Sequence, residues 1–351
     1  MPAPATLHGP SSASASITRD HQEDRRPMSV PAPAPEGALL YDRRTGRLDG
    51  ASAVERLAVL AMRAGARLTE PWEHRGFSLG CRILSVALTE REAMVRIDDD
   101  TRYAFPLGDG YWSVLFDPRY VYEPELERFL MNVVDVDYTF VDGGANYGLW
   151  SVLVSSRRFG SHPAIAIEAS SRNAAKLRRN AEINGGRFAV RHQAIGATAG
   201  GIARLSGRKH EAFTIAGGTD ATVTEEVPVM SLDSLFDDGT LRPDGRFVVK
   251  LDVEGVEVDA LKGGRRMLDA DSVLLCEEHG ADRTHAVTRY ALSLPGCREF
   301  VLDPTTGRFE EVPEPDFLDH VKTNPAYGYN VFVTKSPFWI ERLRSAPPVV
   351  R

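Results

Sequence analysis

The segment Tyr138-Thr-Phe-Val-Asp-Gly-Gly-Ala-Asn-Tyr-Gly148 sets one acid, three glycines and an asparagine between two apolar runs. Phe140 and Val141 lead into Asp142, and Leu149, Trp150, Val152 and Leu153 read as the opening turns of a helix. Gly143, Gly144 and Gly148 permit positive φ and close approach of a ligand. A strand, tight loop and helix N-terminus of this kind offers free backbone N–H groups to an anionic or polar ligand group. The next apolar run, Ala164-Ile-Ala-Ile167, ends in Glu168, twenty residues after Gly148. An acid at the tip of a second strand, about 20 residues past a Gly-rich loop, is placed to bind the two hydroxyls of an adenosine ribose. Later, Phe247-Val-Val-Lys-Leu251 ends in Asp252 with Glu254 in the turn, and a further apolar run ends in Glu277-Glu278-His279.

Read by alternate residues, Asp142, Gly144, Asn146 and Gly148 form D-x-G-x-N-x-G, where dinucleotide folds usually carry G-x-G-x-x-G. The alternating form headed by an acid is typical of S-adenosylmethionine (SAM) pockets. Asp142 is expected to receive the amino group of the methionine moiety, and the loop with Gly143, Gly144, Asn146 and Gly148 leaves room for its carboxylate and ribose. Glu168 is expected to hold the ribose, and Gln193, at the end of a third strand, to lie near the adenine. Methyl transfer to a hydroxyl is an in-line displacement that needs alignment of the reacting atoms and a group to take the hydroxyl proton. Asp252, Glu254 and His279 are the candidates at the adjoining strand ends. Their competing roles are structural: Asp252 as a helix cap, Glu254 and Glu257 as loop and helix-face acids, His279 as a packed imidazole. Lys250 is a partner for a neighbouring acid. Asp252, Glu277 and Glu278 offer hard oxygens suited to magnesium, but their spacing does not require a metal and none is expected.

Five segments resemble the FkbM family of SAM-dependent methyltransferases in order and spacing. They are Val141-Asp-Gly-Gly-Ala-Asn-Tyr-Gly148, Ala166-Ile-Glu-Ala169, Asn180-Ala-Glu-Ile-Asn184, Val227-Pro-Val-Met-Ser-Leu-Asp-Ser-Leu235 and Lys250-Leu-Asp-Val-Glu-Gly255. The last resembles the family's K-x-D-V-E-G signature. Tyr122-Glu-Pro-Glu125 resembles its upstream element; packed over the Gly loop, Tyr122 and Glu123 would close on the methionine end of SAM, the alternative for Tyr122 being a core aromatic. The resemblance covers roughly residues 120–335. Departures are Gly143-Gly144, where a bulkier residue more often precedes the glycine, and Ala169, where proline is usual. The resemblance implies an O-methyltransferase acting on a hydroxyl of a sugar, glycan, glycolipid or polyketide-type metabolite.

These residues need a framework to bring them together. From Tyr138 onward strands and helices alternate, with strands expected at 138–142, 164–168, 188–193, 247–252, 272–277, 298–303 and 329–334. Alternation of this kind predicts a doubly wound α/β sheet with ligands at the carboxyl ends of its strands. The late pair of strands suits the antiparallel final hairpin of a Rossmann-like class I methyltransferase sheet, order 3-2-1-4-5-7-6. Helices are expected over Asn173–Asn184 and Glu257–Leu268, the latter broken at Gly263-Gly264. Ahead of this domain (135–340) lies a small α+β extension, 37–134, in the place of a cap on the substrate mouth. In it Val54, Leu57, Leu60, Ala61 and Ala64 have helical spacing, a second helix runs from Glu123 to about Val133, and Cys81–Val86, Met94–Ile97 and Arg102–Phe105 read as strands. Residues 1–36 are rich in Pro, Ala and Ser and short of large apolar side chains, so disorder is expected there, with Met28 as an alternative start; 341–351 is expected to be a tail.

Composition narrows the classes. The 351 residues are 42% hydrophobic, enough for one large core or one core plus a small extra domain, and carry a net charge of −7, which disfavours nucleic acid as a partner. Cys81, Cys276 and Cys297 form no C-x-x-C pair, which points to a reducing compartment. No apolar run approaches the ~20 residues that span a bilayer, and the expectation is a cytoplasmic protein, free to form homo-oligomers, with a small-molecule or glycan acceptor. Two other readings remain: a nicotinamide-dependent oxidoreductase on the same loop, and a non-catalytic SAM-binding protein.

Overall fold

The core is a sheet whose strands are almost unbroken apolar runs, the pattern of strands covered on both faces. In chain order they are β1 (Thr139–Gly143), β2 (Ala164–Glu168), β3 (Phe188–His192), β4 (Arg246–Leu251), β5 (Asp271–His279), β6 (Arg298–Asp303), β7 (Arg308–Glu311) and β8 (Gly328–Thr334). The structure, a computed structural model, describes residues 37–206, 214–215, 225–325 and 327–348. Residues 1–36, for which disorder is expected, and 349–351 lie outside the described residues.

The strands lie side by side in the order β7-β6-β8-β5-β4-β1-β2-β3. β3, β2, β1, β4 and β5 are mutually parallel, while β8 runs antiparallel between β5 and β6. The edge strand β7, which pairs antiparallel with β6, has no counterpart among the strands read from the sequence. The chain reverses its direction of winding between β1 and β4, the point where such sheets open a crevice. Side chains alternate across the sheet. Val248, Leu275 and Phe332 enter one apolar cluster, and Val249, Leu274 and Val331 enter another.

The first of those clusters also holds Leu39, Val59, Trp112 and Phe129, so the N-terminal extension packs into the same core. Its strands are Leu39–Asp42, Leu48–Asp49, Glu92–Arg96 and Arg102–Pro106, and its helices are α1 (Ala53–Thr69), α2 (Phe77–Ser85) and α3 (Pro124–Asn132). The core then contributes α4 (Leu149–Val154) and α5 (Ser171–Ile183). The expected strand Cys81–Val86 is a correction: these residues belong to α2 and its C-cap. Gly76, at φ 83°, opens the helix, and Phe77 and Cys81, four apart, turn inward while Leu79 and Ile83 face out.

Residues 1–36 aside, the expected boundaries shift at the C-terminus. The helix Pro337–Ser345 continues beyond 340, with Leu343 and Ala346 buried, so the packed chain extends into the expected tail. The expected helix 257–268 is two short ones, Glu257–Lys262 and Arg265–Asp269. A Cβ at Gly263 would run into the carbonyl oxygen of Gly196, which fixes the break there. A small sheet absent from the sequence reading joins Ala194–Ile195, Ile202–Ser206, Thr214–Ile215 and Glu225–Met230 beside β3.

Candidate functional site

A cavity of about 1460 Å³ opens at the carboxyl ends of β1, β2, β4 and β5. Asp142, Gly144, Asn146, Glu168, Gln193, Lys250, Asp252, Glu254, Glu277 and His279 all line it, as do Tyr122 and Glu123 from the turn before α3. Gly143 and Gly148 do not. Gly143 ends β1 against Ile195 and Leu251, and Gly148, at φ 84°, gives way to Leu177 of α5. The close approach argued for these glycines is therefore made by protein atoms. Gly144, at φ 76°, is the loop glycine that faces both ways: it lines the cavity, and a Cβ there would meet the Asp252 carbonyl oxygen.

The two acids expected to hold SAM also hold the loop. Asp142 is buried and its Oδ2 accepts from the Ser151 N–H at 3.2 Å and the Ser151 hydroxyl at 2.7 Å. Glu168 Oε2 accepts from the Asn146 N–H and Oε1 from the Ser170 N–H, both at 2.8 Å. Asn146 sits in the left-handed region at φ 52°, a conformation asparagine tolerates better than most residues. Its Oδ1 accepts from Trp112 Nε1 at 3.4 Å. Burial pushes both carboxyls up, that of Glu168 to about 7, against the amide hydrogen bonds that pull it down.

Beside them lies a charged network. Lys250 is buried and donates from Nζ to Asp252 Oδ2 at 2.9 Å, with Glu123 Oε1 at 3.7 Å. Burial opposes the lysine's charge, but Asp252, Glu123 and Asp142 outweigh it and hold the ammonium well above its ordinary range. For Asp252 burial raises the carboxyl, yet Lys250 and a hydrogen bond from Glu277 bring the net shift below the usual value. Burial and the Asp252 charge push Glu277 well up, so Glu277 is the protonated partner and Asp252 the ionised one. Gly328 of β8, which pairs with His279, leaves room for the Glu277 side chain, since a Cβ there would overlap its carboxyl.

Glu123 itself is at φ 45°, in the left-handed region, where a non-glycine residue stores roughly 1–3 kcal/mol of strain. It is held there from three elements: Trp150 Nε1 of α4 donates to Oε2, Asn330 Nδ2 of β8 donates to Oε1 at 3.1 Å, and Lys250 of β4 faces Oε1. Burial pushes its carboxyl up to about 7, partly offset by Lys250. Tyr122 next to it packs on Trp112 and Trp150, with its hydroxyl 2.9 Å from that of Tyr111.

Asp252 does not cap the helix Glu257–Lys262, which has no side-chain cap; the turn before it is tied by Glu257, whose Oε1 accepts from the N–H groups of Val253 and Gly255 at 3.1 Å each. Glu254 and Gly255 carry the positive φ of that turn, at 55° and 94°. Glu278 does not join the site. It points to the other face of β5, accepts from the N–H and hydroxyl of Thr288 and lies 3.7 Å from Lys322. The oxygen set Asp252, Glu277 and Glu278 therefore does not converge. Among the described residues no group of three or more His, Cys, Asp or Glu is arranged to hold a metal ion.

A doubly wound sheet with a Gly-containing loop after β1 and acids at the ends of β1, β2 and β4 defines a Rossmann-like SAM-binding methyltransferase fold. Residues 142–319 match the methyltransferase FkbM domain, and the chain belongs to that family. No curated protein matches. Among solved structures the chain is similar to a precorrin-6y C5,15-methyltransferase from Geobacter metallireducens, at 12% identity over 62% of this chain and 91% of that one, TM-score 0.33. It is similar at 12% identity to an rRNA methylase from Streptococcus thermophilus, over 62% and 98% of the two chains, TM-score 0.35. An O-methyltransferase from Bacillus cereus in complex with SAH gives 12% identity over 62% and 82%, TM-score 0.35. With values this low, the reading of the site rests on the family match and on the residues themselves.

Proposed function

We propose that this chain transfers a methyl group from SAM to a hydroxyl of a neutral acceptor such as a sugar, glycan, glycolipid or polyketide-type alcohol. The observation that carries the reading is the charge of the cavity. Ten of its lining residues are Asp or Glu, against the single cation Lys250 and two histidines among the described lining residues. Such a wall suits a cofactor with a sulfonium and an ammonium, and it repels the pyrophosphate of a nicotinamide dinucleotide. Asp142 and Glu168 are the residues that would hold SAM, with Asn146, Gly144 and Gln193 around them and Tyr122 over the methionine end.

Bound SAM supplies an electrophilic methyl. The chain's own part is to orient the acceptor hydroxyl and take its proton. Asp252 is ionised and fixed by Lys250 and Glu277, which makes it an orienting acceptor rather than a strong base. Glu123, with a carboxyl pushed up to about 7, has the proton affinity that suits a base at neutral pH. His279 is exposed at the rim, and Glu254 lies in the turn beyond Asp252. The test is transfer of isotopically labelled methyl from SAM to a panel of glycosides, glycolipids and macrolide-type alcohols. Label on an acceptor oxygen, lost about 10²-fold in Asp252→Asn with SAH affinity kept, is the expected result. Label on nitrogen or carbon would overturn the O-methyl reading, and SAM binding without turnover on any acceptor would favour the non-catalytic one.

A further inference from the structure

Helix α1 turns two different apolar faces to its surroundings. Ala58, Val59, Met62 and Ala66 enter the core. Val54, Leu57, Ala61, Ala64 and Leu68 form a second stripe on the opposite side, with Leu57 and Leu68 each 69% exposed. α2 packs beside α1 and continues this outer surface with Leu79, Ile83 and Val86, the last 88% exposed. Contiguous apolar surface on this scale marks an interaction site. We infer that the outer face of α1 and α2 is a two-fold interface with a second copy of this chain, with α1 packed antiparallel on its own copy about Ala61.

Four features select that occupant. The first is spacing. Val54, Leu57, Ala61, Ala64 and Leu68 step by 3, 4, 3 and 4, the seam that one helix presents to another. The second is self-complementarity. Antiparallel pairing about Ala61 sets Val54 level with the partner's Leu68 and brings Leu57 within one residue of the partner's Ala64, so large residues close the ends and small ones let the middle of the two helices approach. An isologous contact needs a patch that complements itself in this way. The third is area. α1 has 17 residues and α2 has 9. Side by side they offer roughly 25 by 20 Å, which with side-chain relief comes near the ~800 Å² per partner of a standard interface. The fourth is charge. Two arginines of α1 turn back onto their own chain: Arg56 donates to the Leu48 carbonyl at 2.7 Å and Arg67 to Asp117 at 3.2 Å. They are not spread towards the face as an anionic lipid surface would require. Residues 1–36 carry few large apolar side chains with which to cover it.

The test is light scattering of the full chain in solution, with cysteine pairing to read the register. The expected mass is twice the 38.6 kDa of the chain. Leu57→Glu and Ile83→Glu should each give a monomer with unchanged thermal midpoint and SAH affinity, because both side chains are already in water in one chain. Under mild oxidation Ala61→Cys should link to its own copy. Val54→Cys and Leu68→Cys should each fail to self-link but should link to one another when mixed. A wild-type monomer at tens of micromolar, or a dimer that survives Leu57→Glu, overturns the interface. Self-linking of Val54→Cys without that of Ala61→Cys overturns the antiparallel register. A monomer that sediments with phosphatidylglycerol vesicles, and no longer does so as Leu57→Glu, assigns the face to a membrane surface instead.

Discussion

At the scale of single residues, the site separates carboxyls by environment. Asp252 is kept ionised by an ammonium and a protonated neighbour, while Glu123 and Glu168 are pushed to about 7 by burial. Asp252→Asn should leave SAH affinity nearly unchanged and lower turnover by about 10²-fold, the cost of a mispositioned acceptor, as read by single-turnover kinetics. Glu123→Gln should remove the limb of the pH–rate profile near 7, whereas His279→Ala should keep it; the opposite pattern would move the base to His279. The strand-end acids Asp142, Glu168 and Asp252 were legible in the sequence because an apolar run followed by an acid marks the carboxyl end of a strand. The inward turn of Glu277 and the outward turn of Glu278 were also legible in principle, since neighbours on a strand face opposite ways. Trp112, Trp150 and Asn330 were not. Each meets its partner, Asn146 or Glu123, across at least 27 residues of chain, and no local spacing carries that.

At the scale of elements, two of the segments that resemble the family prove to be joints. Asn180 of α5 accepts from the Ala104 N–H at 2.7 Å and donates to the carbonyls of Ala104 and Tyr147, and Asn184 makes the same two-way pairing with Arg102. Together they close the exposed edge of the N-terminal sheet onto the core. Asn180→Ala strands three buried backbone groups, each worth about 1–3 kcal/mol. The unfolding free energy from chemical denaturation should therefore fall by about 3 kcal/mol or more, and a change under about 1 kcal/mol would show that water replaces the side chain. Asp233, in the other segment, accepts from the N–H groups of Arg266 and Met267 and so starts the helix Arg265–Asp269. The spacing along α1 revealed a helix but not which of its stripes is buried. Val54, Leu57 and Leu60 look like a core face, yet the core takes Ala58, Val59, Met62 and Ala66, on the side of the helix that packs against Trp112–Phe116 and α2. α2 was misread because four apolar residues in six suit either element when the turn at Gly76 is overlooked.

At the scale of the whole molecule, the raised carboxyls give stability a direction with pH. Glu123 and Glu168 are held at about 7 and Glu299 at about 8, all above the ordinary 4.5. Between 4.5 and those values the folded chain keeps protons that the unfolded chain has released, so stability falls as pH rises through this window and flattens above it. The thermal midpoint of the ligand-free protein should drop from pH 5 to pH 8; a rise over the same interval would contradict the burial of these groups. The same sign governs ligand binding. If the ionised form of Glu168 holds the ribose, SAH should bind more tightly as pH rises through 7, and Glu168→Gln should flatten that dependence. The central claim is that the acid-lined cavity takes SAM and not a dinucleotide. Calorimetric titration of the full chain with SAH and with NAD tests it most directly. One saturable SAH site, weakened at least about tenfold in folded Glu168→Ala, with no heat from NAD, is the expected result. Saturable NAD binding without SAH binding, or wild-type SAH affinity in Glu168→Ala, would contradict it.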